Sequence, residues 1–212
     1  MPGGGGISYK SYSFDDAMDQ IGFGRYQLQV FAFNILITGA DAMEMTLLAF
    51  IGPAIRCEWD LEPGDDSIVG VAVFLGMFFG TLFWGSLADR IGRKPTIIVA
   101  CFFTFLAGSI TAVSNNLATL CVCRLFSGFG LANAVGSDYY MEHLPFKNRG
   151  FYFQFHAFGW VFGAITTCIL AWCVFASLGW RWLVFLNTVP LLVTALVMIF
   201  FAEETPKRLP KP

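Results

Sequence analysis

The chain has 212 residues, of which 56% are hydrophobic and only 13% are charged, and its mean hydropathy is +0.64. Ordinary soluble domains have about 45–50% apolar and about 25% charged residues, so this composition excludes a typical water-soluble fold and indicates a protein of the lipid bilayer. The formal net charge of −2 is too small to indicate a polyanionic partner, and we expect no binding of nucleic acid.

Apolar segments long enough for an α-helix to cross a hydrocarbon core of about 30 Å recur along the chain. Because unpaired backbone groups are costly in lipid, we expect helices rather than strands. The sequence therefore predicts an all-α membrane protein with six transmembrane helices, at about residues 26–51, 67–88, 95–113, 117–140, 151–175 and 182–202. Residues 1–24 are predicted to form a flexible cytoplasmic tail without signal-peptide character, residues 25–202 the helical bundle, and residues 203–212 the start of a cytoplasmic loop.

The basic residues of the loops fall mostly on one side of this six-helix topology. Lysine and arginine near short loops stay in the cytoplasm, so we expect both termini inside and the acidic stretch 56–66 outside. Only Arg56 and Arg181 lie on the outer side. The inner side holds ten basic residues, namely Lys10, Arg25, Arg90, Arg93, Lys94, Lys147, Arg149, Lys207, Arg208 and Lys211.

Ionisable residues at membrane depth are costly and mark functional candidates. Asp41 lies about ten residues from the outer end of the first segment, and Arg124 about seven from that of the fourth, so their depths differ by about 5 Å. We expect them to pair. Protonating Asp41 would then free Arg124 and shift the balance between outward-open and inward-open states, or else the pair is static and fixes helix packing. Glu44, three residues from Asp41 on the same helical face, is an alternative proton carrier or cation ligand.

Other polar residues of the apolar segments carry weaker signals. Asn133 and Asp138 in the fourth segment are predicted to line a central cavity. His156 near the start of the fifth segment is more typical of a structural residue. Five of the six cysteines lie in apolar runs, which is typical of small core residues, and no metal-ligand spacing with histidine accompanies them. We find no phosphate-binding loop or nucleophile elbow either, so we expect neither an enzyme nor a cofactor.

The end of the second segment carries the pattern G-x-x-x-D-R-x-G-R-K. Its members are Gly85, Asp89, Arg90, Gly92, Arg93 and Lys94. The pattern resembles the signature loop of the major facilitator superfamily at every diagnostic position. The resemblance implies that Asp89 and Arg93 latch helices together on the inner side in the outward-open state. Glycine permits close helix approach, and a carboxylate can bind a helix N-terminus as well as a guanidinium.

Further motifs follow the same resemblance. Arg124 and Glu142, with the glycines and proline around them, resemble the fourth-helix and loop motifs of sugar porters and organic-ion transporters. Glu142 and Arg149, spaced E-x(6)-R, are expected to extend the inner charge network. Residues 204–208 resemble a P-E-S-P-R helix end in which Thr205 replaces serine and the first proline is missing. Residues 41–45, 57–59 and 179–182 are similar to synaptic-vesicle-protein-related transporters and their niacin and aromatic-acid relatives.

The resemblance covers about residues 25–208 and implies the N-terminal half of a 12-helix carrier, built as a 3+3 inverted repeat, with a small organic solute as cargo. Such carriers bind cargo between two bundles. We expect the second bundle to belong to a longer parent protein. The alternatives are a half-size protein that dimerises and a non-transporting protein that regulates a full-length partner. Proton coupling through Asp41 or Glu44 is the preferred energy source over facilitated diffusion, in the plasma membrane or an intracellular vesicle membrane.

Overall fold

The computed structural model of the chain describes Gly22 and residues 24–62, 64–131 and 133–203, without the side chains of residues 133 and 134. The predicted tail at 1–24 and loop at 203–212 therefore lie almost entirely outside the described residues. Within them, the α-helices are α1 (Arg25–Trp59), α2 (Ser67–Ile91), α3 (Arg93–Thr111), α4 (Leu117–Gly130), α5 (Asn133–Glu142), α6 (Arg149–Gln154), α7 (His156–Leu178) and α8 (Trp180–Phe201).

Within the described part of the chain, six helical spans are long and apolar enough to cross a membrane: α1, α2, α3, α4 with α5, α6 with α7, and α8. The predicted all-α fold with six transmembrane helices is confirmed. The loop between the first two spans is shorter than predicted, because α1 continues through Pro53 to Trp59. Ile51 and Ile55 are fully buried against the start of α8, so the buried face of α1 continues to its end.

The fourth span is interrupted where the sequence predicted one continuous helix. α4 ends at Gly130, and Leu131 is extended before α5 begins. Gly128 and Gly130 lie in this last turn, and glycine is a poor helix former. The cysteine prediction is partly wrong. All six cysteines are free and Cys101 is buried, but Cys168 and Cys173 are exposed on α7.

The helices pack in pairs: α1 lies against α7, α2 against α4, and α3 against α8. Each of the first three spans can be exchanged with its counterpart among the last three. The α1–α7 pair then becomes the pair of the fourth and second spans, which is α4 with α2, and the α3–α8 pair is converted into itself. This pattern is that of the predicted 3+3 inverted repeat. The axis of the repeat therefore passes between the first and the fourth spans, the two that carry the buried charges.

Glycines permit the close approach within the two exchanged pairs. A Cβ added to Gly76 or Gly80 of α2 would overlap the backbone of α4, and one added to Gly128 would overlap Val73 of α2. In the other pair, a Cβ on Gly163 of α7 would overlap the backbone of α1. Small residues at helix contacts allow the dense packing that holds helices together in lipid.

Two apolar clusters fill the bundle. The motif end, which carries the Asp89–Lys94 loop, holds a cluster that includes Trp84, Ile97, Tyr139 and Met198. The opposite end, here called the distal end, holds a second cluster around Leu47, Ile51, Leu120 and Leu183. Polar side chains are buried between the two: Asp41, Glu44, Thr104, Arg124, Ser127, Thr167, Asn187 and Thr188. This polar layer positions the candidate site.

Candidate functional site

The polar layer contains a buried ion pair between the first and the fourth spans. Arg124 of α4 donates from Nη1 to Oε2 of Glu44 on α1 at 2.8 Å, and each side chain is only 1% exposed. A guanidinium and a carboxylate that are both removed from water need such a contact, because either one alone would be strongly destabilising.

The pair leaves hydrogen-bonding capacity unused. Glu44 Oε1 and Arg124 Nε and Nη2 are buried and have no hydrogen-bond partner among the described residues. Glu44 Oε1 faces Gly108 of α3, where an added Cβ would come within 3.3 Å of it. These three atoms can therefore form new hydrogen bonds. A salt bridge with a purely structural role would be expected to have all of its donors and acceptors paired.

The prediction that Asp41 pairs with Arg124 is wrong. The two differ in depth by about 5 Å, whereas Glu44 lies three residues nearer the distal end, at the depth of Arg124. Asp41 instead borders a small cavity of about 10 Å³, together with Cys101 and Thr104 of α3. Its Oδ2 is buried and has no hydrogen-bond partner in the described part of the chain. A cavity of this size holds about one water molecule.

The layer extends to contacts that the sequence analysis did not single out. Thr167 of α7 donates to Asn187 Oδ1 of α8 at 2.8 Å, and both are fully buried. Nearer the motif end, His156 Nδ1 lies 3.0 Å from Asn34 Oδ1 and 3.3 Å from Thr38 Oγ1 of α1. Asn34, Thr38, Asp41 and Glu44 are three or four residues apart, so they share one face of α1. This spacing is visible in the sequence and could have revealed the polar face of α1.

At the motif end, Arg93 at the start of α3 joins three acidic residues from two other helices. Its guanidinium lies 3.1 Å from Asp138 and 3.6 Å from Glu142 on α5, and 3.7 Å from Asp89 on α2. Arg93 is largely covered, whereas Asp89 and Asp138 are mostly exposed. Asp138 thus lies in this charge cluster at the motif end, away from the polar layer.

The other motif residues lie around Arg93. Lys94 Nζ donates to the carbonyl oxygen of Ala202 at 2.7 Å, which caps the end of α8. Gly92 links α2 to α3 with φ 113°, a conformation that favours glycine. Arg90 is exposed at the end of α2, and a Cβ on Gly85 would meet no atom of the described residues within 4 Å.

The two remaining predicted site residues lie on the motif-end side of the break after α4. Arg149 starts α6, where Nη2 donates to the Leu144 carbonyl oxygen at 3.4 Å and the guanidinium lies over the Phe146 ring. The backbone of Asn133 starts α5, but its side chain lies outside the described residues. The groups of three or more His, Cys, Asp or Glu that a metal site requires do not occur among the described residues.

Comparison with known proteins identifies the family and the fold of this chain. The family model described as Major Facilitator Superfamily matches residues 35–212. The chain belongs to the major facilitator superfamily. The inward-open xylose transporter XylE from E. coli shares its fold, with a TM-score of 0.75 and 17% identity over 86% of this chain and 49% of that one.

Curated relatives of this major facilitator chain agree with the narrower resemblance. The organic cation/carnitine transporter 7 of Arabidopsis thaliana is 35% identical over 93% of the chain and 40% of that protein. The synaptic vesicle 2-related protein of Rattus norvegicus is 34% identical over 92% of the chain and 36% of that protein. The predicted similarity to synaptic-vesicle-related and organic-ion transporters is confirmed. The chain spans less than half of the length of these relatives.

Proposed function

We propose that this chain forms one bundle of a carrier that moves a small organic solute by alternating access, driven by protons. The observation that supports this most is the buried Glu44–Arg124 pair with the unpaired Asp41 beside it on α1. Buried ionisable residues of this kind contribute little to the stability of a static bundle, because replacing buried ions with apolar residues is often stabilising. Intramembrane acids with spare contacts are typical of proton relays.

Charge balance assigns the roles. The single guanidinium of Arg124 can compensate only one of the two carboxylates and leaves the other without a counter-ion. One added proton makes the layer neutral. Asp41, which borders the small cavity, is the proton site in the resting arrangement, and Glu44 is the counter-ion of Arg124. When Arg124 turns toward Asp41, the proton moves to Glu44, and each arrangement favours one orientation of the carrier.

The solute is proposed to be a small organic ion with an apolar body. A groove of about 700 Å³ runs between α1 and α7, and its walls are almost entirely apolar, with Phe31, Phe155 and Phe158 among them. Phenylalanine faces suit apolar groups and organic cations. The name of the Arabidopsis relative, an organic cation/carnitine transporter, supports this class.

The other side of the transport pathway would be formed by a second six-helix bundle, from the same polypeptide or another. Exposed phenylalanines on α2 and α7 provide the apolar surface that such a bundle would cover: Phe74, Phe78, Phe79, Phe158 and Phe162. The motif end is proposed to face the cytoplasm, because the basic residues Arg90, Arg93 and Lys94 lie there. The Arg93 cluster would hold that end closed in the outward-open state.

The test is uptake into proteoliposomes that contain the complete carrier, with labelled carnitine and labelled xylose as probes and an imposed pH gradient. We expect gradient-driven uptake of carnitine but not of xylose. Asp41→Asn should abolish the response to the gradient and leave exchange of carnitine across the membrane intact. Full gradient-driven uptake by Asp41→Asn would overturn the proton role, and uptake of xylose alone would overturn the solute class.

A further inference from the structure

A groove of about 500 Å³ lies at the distal end between the last turn of α3 and the first turns of α8. Its walls are Ser109, Ala112, Val113, Arg181, Trp182 and Phe185. Val113 and Trp182 are mostly exposed, so the groove opens to the outside of the bundle. In a chain that spans the bilayer, the end of a transmembrane helix lies near the boundary between hydrocarbon and headgroups.

Arg181 is held at the rim of this groove by Glu58 of α1, by the loop that follows α3 and by its neighbour Trp180. Its Nη1 donates to Glu58 Oε1 of α1 at 2.7 Å, and its guanidinium lies 4.6 Å from the centre of the Trp180 ring. Glu58 accepts a second hydrogen bond from Trp180 Nε1, and Arg181 Nη2 lies 3.4 Å from the Ser114 carbonyl oxygen. The guanidinium is therefore fixed in place before any ligand arrives.

The fixed guanidinium still has donors to offer. A guanidinium has five N–H donors, and the contacts to Glu58 and Ser114 use two of them, which leaves three without a partner among the described residues. The side chain is 37% exposed. A guanidinium presents its donors in a planar fork that matches the oxygens of a phosphate.

This combination distinguishes the groove from the other large apolar grooves of the bundle. The groove between α1 and α7 and the one on α7 beside Trp172 are lined by uncharged residues, as the described side chains show. Neither groove offers a cationic side chain to an anionic head. The α3–α8 groove offers apolar walls with a cation at one end, and that is the chemistry of an amphiphile with an anionic head.

We propose that the α3–α8 groove binds one phospholipid of the surrounding leaflet. An acyl chain lies against Ala112, Val113 and Phe185, and the phosphodiester accepts hydrogen bonds from Arg181. Trp182 lies at the interface, where tryptophan is favoured beside headgroups. The lipid would bridge the distal ends of α3 and α8, the helix pair that the inverted repeat leaves unchanged. This inference does not depend on the proposed transport activity.

The experiment uses the full 212-residue chain in nanodiscs of mixed phosphatidylcholine and phosphatidylglycerol, released into the gas phase for native mass spectrometry. We expect one phospholipid retained per chain. Arg181→Gln should lower its affinity about tenfold, the effect of losing one charge-assisted hydrogen bond. Ala112→Phe, which fills the groove and leaves Arg181 in place, should lower it as well. Arg56→Gln is the matched control, because Arg56 pairs with Asp66 at the same end but outside the groove.

A fourth variant separates lipid binding from folding. Glu58→Gln keeps an acceptor for Trp180 but frees Arg181 from its carboxylate, so the phospholipid should bind at least as well as in the wild type. If Arg181→Gln fails to fold, the other two variants test the proposal. Ala112→Phe should then bind the phospholipid more weakly than the wild type, and Glu58→Gln at least as well. Retention by Arg181→Gln or Ala112→Phe equal to that of the wild type overturns the proposal. An equal loss in Arg56→Gln also overturns it, since that result indicates attraction by the general charge of this end.

Discussion

Glu44 and Arg124 contact each other at 2.8 Å across the two helices that the inverted repeat exchanges, at the boundary between the two apolar clusters. A charge pair at this position holds the two halves of the bundle together. The same contact therefore bears on the stability of the bundle and on the proposed movement of Arg124 between Glu44 and Asp41.

Removing one member of this pair should cost more than removing both. Arg124→Met leaves the Glu44 carboxylate buried without a counter-ion and should lower the free energy of unfolding by about 3–5 kcal/mol. The double variant Glu44→Met with Arg124→Met should recover most of that loss. Unfolding of the purified chain by sodium dodecyl sulfate, followed by circular dichroism, measures both. Additive losses in the double variant would contradict the pairing.

Asp41 and Glu44 should respond differently to neutralisation, although only two residues separate them. Glu44→Gln removes the counter-ion that Arg124 has in the resting arrangement and should destabilise the bundle, by less than the cost of about 3–5 kcal/mol for an uncompensated buried charge, because Arg124 can turn toward Asp41. Asp41→Asn removes a carboxyl that has no ion pair among the described residues, and should change the free energy of unfolding by less than about 1 kcal/mol. The same unfolding assay compares them. Equal destabilisation by the two variants would show that Asp41 shares the counter-ion role.

The sequence was sufficient for the six spans and the motif loop, because hydropathy and spacing are local properties. It failed on the partner of Arg124, because it allowed for a depth difference of about 5 Å between partners, whereas Glu44 lies at the depth of Arg124. The predicted end of the first helix was also wrong, since α1 runs to Trp59 rather than to about residue 51. Pairings such as Thr167 with Asn187 depend on how helices rotate against each other, which no local pattern records.

The glycine contacts between α2 and α4 should be intolerant of any side chain. Gly76→Ala and Gly128→Ala place a methyl group against the backbone of the facing helix, and overpacking of this kind costs about 1–3 kcal/mol. Gly85→Ala is the matched control on the same helix as Gly76, because its Cβ meets no atom of the described residues within 4 Å, so this variant should unfold like the wild type. A similar loss in Gly85→Ala would indicate a general effect of altering glycines in α2.

Because the described residues provide no packing reason for Gly85, the proposed function predicts that this motif glycine contacts the second bundle. Gly85→Ala should therefore reduce gradient-driven uptake by the complete carrier although the stability of this bundle is unchanged. Uptake and unfolding measured on the same variant test this. Normal uptake by Gly85→Ala would leave the glycine without a role at that interface.

Arg93 should control how firmly the motif end is held. Arg93→Gln removes the cation that three acidic residues from α2 and α5 share, so the ends of these helices should open more often. Hydrogen exchange of residues 86–92 and 136–142 should increase in this variant. Arg25→Gln is the control at the same end, since Arg25 is exposed and forms no ion pair within the described residues. Equal exchange in both variants would mean that the cluster is not a latch.

The Arg56–Asp66 pair should make the distal loop sensitive to acid. The hydrogen bond from Arg56, at 2.6 Å, holds the pKa of the Asp66 carboxyl below its ordinary value. A carboxyl with a lowered pKa stabilises the folded state above its unfolded pKa of about 3.9, and this contribution is lost as the pH falls through the folded value. Wild type should therefore have a higher thermal midpoint than Asp66→Asn at pH 7 and lose that advantage progressively as the pH falls below about 3.9. High salt should reduce the difference, because both groups lie at the end of the bundle where ions screen them. A constant difference between the two proteins across this pH range would show that the pair does not stabilise the loop through its charge.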